Sequence, residues 1–172
     1  DENWANMVVD ELRPYGFNGC GFVGSYKLML DASEATPLNQ TGFNGVLSGH
    51  DKSYNDNVMN VFDPYFDTKA DARVKDMIGT YADNPHVIGW SFDNEPPAND
   101  NMLRACLEAD PSNIDQAYSY YTAWEWLKHR HGEDATIDDI TDTDKMDWVE
   151  FVYDRYMNVV VTAIRKYDQN HL

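Results

Sequence analysis

At 172 residues, with 42% hydrophobic and 13% aromatic side chains, the chain has the length of one domain and enough apolar material for a core, which excludes a disordered polymer. A formal charge of −17 argues against nucleic acid or an anionic membrane as partner and suits a neutral ligand such as a sugar, a merely solvated acidic surface being the alternative. Cys20 and Cys106 are too far apart in sequence and too few for a disulfide framework, and no run approaches the ~20 apolar residues of a membrane span.

Taken in order, residues 1–14 carry Trp4, Met7, Val8 and Leu12 at helical spacing, with Asp1 as a cap and Pro14 closing the segment. No signal peptide precedes them, so the chain is expected to be a fragment, and localisation is not legible. Tyr15 to Val23 reads as a buried strand whose glycines allow close backbone approach, with Cys20 as a small core residue. Ser25 to Glu34 reads as a short helix, a strand being the competing assignment; parallel neighbours need a crossover of about a dozen residues. Gln40 to Ser48 is the next expected strand.

Gly49 to Asp63 is polar and reads as a long functional loop, opened by His50. A lone histidine is ordinarily a surface or satisfied residue, but this one follows a predicted strand and is a candidate to line a binding site. Ala70, Val74, Met77, Ile78 and Tyr81 mark one face of a helix. Beyond residue 96 a short helix is expected at Met102–Ala109. A longer one, aromatic-rich, has Ser112 and Asp115 as its capping arrangement and packs a stripe at 114, 117, 118, 121 and 124 on a sheet. His129 and His131 point to different helix faces, so no metal pair is expected. Residues 133–144 form an acidic loop without the calcium-loop spacing, and Thr143 or Asp144 is placed to cap the last helix, which carries Trp148, Val152, Tyr156, Val159, Val160, Ala163 and Tyr167.

The chemistry concentrates at Asn84-Pro85-His86-Val87-Ile88-Gly89-Trp90-Ser91-Phe92-Asp93-Asn94-Glu95-Pro96-Pro97. An Asn-Pro turn opens a mostly apolar run that breaks into Asp-Asn-Glu and is ended by two prolines. Polar side chains at the carboxyl end of a buried parallel strand are costly unless they serve a function, and that end is where ligands sit in α/β sheets.

Trp-x-x-Asp-Asn-Glu-Pro resembles the fourth-strand signature of the clan A retaining glycoside hydrolases, and the Asp before Asn-Glu is most similar to their β-galactosidase and agarase-like branches. Gly16-Phe17-Asn18 resembles that clan's second strand, and the run from Arg165 to Leu172 its passage into the fifth. The resemblance implies an α/β fold, a partial (β/α)8 barrel of about strands two to four with their helices, spanning residues 1–172 as one segment. It implies that Glu95 is the general acid/base and that Asn94 contacts the sugar 2-hydroxyl, with Asp93 and His50 as further substrate-binding candidates. Independently of any family, a glycosidic oxygen leaves poorly unless a carboxylic acid of raised pKa protonates it.

A complete barrel needs roughly 250 residues, and the clan's nucleophile, a seventh-strand glutamate, has no counterpart here. The function expected is therefore the acid/base-bearing part of a retaining β-glycosidase, without cofactor or metal, acting on an oligo- or polysaccharide such as a β-galactoside or agar-type galactan. On its own the chain is expected to lack activity and to fold poorly or self-associate through open sheet edges. The alternative is a non-catalytic carbohydrate-binding or structural α/β domain. A doubly wound hydrolase is disfavoured, since Gly-x-Ser-x-Gly and a phosphate-binding glycine loop are both missing from the sequence.

Overall fold

The computed structural model describes residues 2–20, 39–44, 52–53, 58–79, 81–93 and 96–172. The chain begins with α1 (Glu2–Leu12), followed by a 3-10 turn at Arg13–Tyr15. Pro14 suits the start of that turn, and Gly16, at φ 85°, ends it with its N–H on the Arg13 carbonyl. α1 buries Ala5 and Val9 and turns Trp4 and Met7 outward, one position away from the face expected.

Among the described residues five short strands follow: β1 (Gly19–Cys20), β2 (Asn39–Asn44), β3 (Lys52–Ser53), β4 (Val58–Met59) and β5 (Val87–Phe92). β1, β2 and β5 lie in that order in a parallel three-stranded sheet, while β3 and β4 form a separate antiparallel pair. The runs read as strands supply β1, β2 and β5, though β1 is two residues long, and Tyr15 and Phe17 before it are exposed. The helix expected at 25–34 lies outside the described residues. Residues 58–61, read as part of a polar loop, are buried instead, Val58 and Val61 completely.

The remaining helices are α2 (Phe66–Ile78), α3 (Met102–Leu107), α4 (Ile114–His131) and α5 (Asp142–Tyr167). They overturn the expected partial (β/α)8 barrel. Most described residues are helical, and the short strands close no barrel. The physical reason is where the apolar surface goes. Among described side chains, only Val58, Met59, Val87 and Trp90 of the buried apolar core come from strands. Most of the rest is helix against helix: α5 lays Val152, Tyr156, Val159, Val160 and Ala163 into one cluster with Phe66, Ala70, Val74 and Met77 of α2, and with Met102, Leu103 and Cys106 of α3. No helix is long and apolar enough to cross a membrane, among the described residues.

Helix ends depart from expectation by a residue or two. α4 is capped by Asn113, whose side chain accepts from the Asp115 N–H, while Ser112 donates to Asp110. α5 is capped by Thr141 in a capping box with Asp144, so Asp144 sits on the third helical residue and not at the cap. The aromatic stripe of α4 is rotated too. Ser119, Ala123 and Leu127 face inward, whereas Ile114 and Tyr121 are 68% and 57% exposed.

Candidate functional site

β5 ends at Phe92, and the next residue, Asp93, is the feature that sets this strand end apart. It is a non-glycine residue at positive φ, 33°, and it is buried. Such a backbone costs of order 1–3 kcal/mol and persists only where surrounding contacts hold it. One contact is in plain view: the Tyr156 hydroxyl donates to Asp93 Oδ2 at 2.6 Å, inside the protein. Burial, and then the Asp93 carboxylate accepting that bond, push the Tyr156 hydroxyl far above the ordinary tyrosine range, so it stays protonated and remains a donor.

A second tyrosine acts on the far side. Tyr153 donates to the Pro96 carbonyl at 3.0 Å, and its ring meets that of Tyr156 edge-on at 6.1 Å. Burial, followed by the charge of Asp93, raises its pKa also. Three positions apart on α5, the two tyrosines share a face. Phe66 of α2 stacks against Tyr156 at 6.4 Å and backs the pair. The hydrogen bonds therefore bracket the chain at 93 and 96. Asn94 and Glu95, the two residues between, lie outside the described residues, as does His50.

Of the residues singled out by sequence, then, the structure describes Asp93, and it ties that residue to α5. The hydrogen bonds of Tyr153 and Tyr156 to this strand end form no sequence motif. Tyr156 was read as one more packing position, yet a buried tyrosine hydroxyl needs a partner, and that requirement was the available signal.

Two other polar clusters hold the surroundings. Trp90 Nε1 donates to Asp168 Oδ2 at 2.6 Å; the same oxygen lies 2.7 Å from His171 Nδ1, and Asp168 Oδ1 accepts from the Asn170 and His171 N–H groups. Just beyond, Trp90 and Leu172 share a backbone bond of 3.0 Å, and a Cβ on Gly89 would stand 2.7 Å from the Leu172 carbonyl oxygen, so only glycine fits there. At the other end of α5, Asp144 receives Arg130 Nε at 2.7 Å and lies 2.9 Å from His131 Nε2. His131 is thus occupied by a carboxylate partner.

A groove of about 550 Å³ runs between α2 and α5, but ion pairs Arg155–Asp67 and Lys166–Asp71 cross it, and its lining includes neither Asp93 nor the two tyrosines. It is a surface furrow between helices, separate from the strand end.

No protein-family model matches the chain, and no curated protein matches its sequence. Its fold is similar to a solved structure titled "Crystal structure of BpGH50", with a TM-score of 0.79 and 21% identity, over 99% of this chain and 41% of that one. The chain therefore spans less than half the length of its structural neighbour, a glycoside hydrolase family 50 protein. At this identity the likeness establishes a shared fold.

Proposed function

We propose that the chain is the acid/base-bearing part of a retaining β-glycosidase that hydrolyses O-glycosidic bonds, with β-galactosides or agar-type galactans as the substrate class. The observation that carries this reading is the polar strand end: Asp93-Asn94-Glu95 follows a parallel strand directly, and Asp93 is held there, buried and at positive φ, by Tyr156. The fold shared with part of a glycoside hydrolase supports it.

In this reading Glu95 protonates the departing glycosidic oxygen and then, as carboxylate, activates the water that releases the sugar. Asn94 donates to the sugar 2-hydroxyl. Asp93 and His50 are the further substrate-binding candidates of this reading. Retention requires a second carboxylate about 5 Å from the first as nucleophile; no residue of this chain is assigned that role. Self-association through a sheet edge belongs to the same proposal.

The test is Glu95→Gln in the full protein that carries this chain. Hydrolysis of natural glycosides should fall by about 10²–10⁴, the usual contribution of general acid catalysis. An aryl glycoside with a good leaving group should lose much less at the glycosylation step. Equal losses on both substrates would show that Glu95 is not the acid, and an unmodified protein that binds oligosaccharide without cleaving it would establish the non-catalytic alternative.

A further inference from the structure

We propose that the outer face of α4 is a stacking surface for a neutral polysaccharide strand. The inference takes its ligand class from the glycosidase reading and its location from α4 alone. Periodicity assigns the tyrosines of this helix to packing, yet the fold turns Ile114 and Tyr121 outward, with Tyr118 between them only part-buried. Positions 114, 118, 121 and 125 succeed one another at three and four residues, so they form one line along the helix.

The central ring of that line is braced from beside. Tyr120 meets Tyr121 edge-on at 5.2 Å and Trp124 at 6.3 Å. Trp124 is pinned in turn, its indole N–H donating to the Leu107 carbonyl at 3.2 Å. A tyrosine has only two side-chain torsions, so a braced ring loses little entropy when a ligand lies on it.

The occupant follows from the chemistry of this face. Aromatic rings with a hydroxyl at the rim match a pyranose, which is apolar on its C–H face and hydrogen-bonding at its edge. Glu125, exposed about one turn past Tyr121, adds an acceptor for sugar hydroxyls. The same carboxylate, on a chain of formal charge −17, repels nucleic acid and other polyanions, and a second copy of this chain as well. A neutral strand of sugars, donating hydrogen bonds and presenting one apolar face after another, fits both demands.

The test uses the full protein that carries this chain, in native polyacrylamide gels containing agarose, a β-1,4-galactan or a β-1,4-glucan in turn. The unmodified protein should be retarded by at least one polymer. Tyr121→Ala, at an exposed position where folding tolerates truncation, should weaken that retardation about tenfold, the scale of a central binding residue. Tyr121→Phe keeps the ring and should retain most of it. Tyr65→Ala, which removes an equally exposed tyrosine from another part of the surface, should match the unmodified protein. No retardation by any polymer, or equal retardation of the protein and Tyr121→Ala, would overturn the proposal. So would a concentration-dependent dimer in sedimentation that Tyr121→Ala disperses, since the face would then belong to a second copy. The two readings fail separately. A protein without glycosidase activity whose retardation still depends on Tyr121 keeps the surface and rejects the enzyme, whereas an active protein whose retardation ignores Tyr121 does the reverse.

Discussion

Trp90 and Asp168, 78 residues apart in sequence, meet in a 2.6 Å hydrogen bond. It ties the middle of β5 to the residue that ends α5, and it does so where both partners are buried. Burial alone would raise the pKa of Asp168; the Trp90 indole, the His171 ring and two backbone N–H groups outweigh it and hold the carboxyl below the ordinary range. The carboxylate is therefore the form the fold requires.

Removing the indole donor should be felt throughout the molecule. Trp90→Phe keeps an aromatic ring but leaves the Asp168 carboxylate short of one partner, and a hydrogen bond to a charged group is worth about 1.5–3 kcal/mol. Urea titration should show a loss of that size with an unchanged denaturant slope. A loss below about 0.5 kcal/mol would mean that the bond is not made in solution.

Asp144 gives the chain an acid limit. Burial opposes its ionisation, yet bonds from Thr141, His131 and Arg130 win and bring its pKa down from 3.8 to about 2. The folded value is depressed, so the stability this group contributes is fully present above about pH 4 and is lost as pH falls towards 2. Asp144→Asn should be destabilised by about 1–3 kcal/mol at pH 7, from the weakened bonds of a buried group. Its stability should also vary less than the parent's between pH 4 and 2. Parallel pH profiles for the two proteins, measured by denaturant melts, would refute the assignment.

Asn94 separates binding from catalysis. A bond to the sugar 2-hydroxyl strengthens as the transition state forms, so Asn94→Ala in the full protein should lower kcat more than it raises KM. A change in KM alone would reduce Asn94 to a simple binding residue.

What could be read in advance follows from how local each signal is. The polar break after Phe92 and the strand before it are written in consecutive residues, and periodicity placed the face of α2 at Ala70, Val74, Met77 and Ile78. The partial barrel was carried by resemblance, and it failed on a question that period cannot answer: against what does an apolar helix face pack? For α5 the answer is chiefly other helices. Caps slipped for a related reason, since several Ser, Thr, Asn and Asp residues compete within a few positions, and Asn113 and Thr141 won by side-chain geometry. The tyrosine bracket joins residues 57 and 63 positions apart, beyond any window along the chain.

The spacing of that bracket is also a ruler. Tyr153 and Tyr156 stand less than one helical turn apart, a rise of about 4.5 Å along the axis of α5, and their hydrogen bonds meet the chain at Pro96 and Asp93, with two residues between in sequence. Substitutions at 94 or 95 leave that count intact. An inserted or deleted residue changes it, whatever the identity of the residue. Loop grafting at this strand end must therefore conserve length before it conserves sequence.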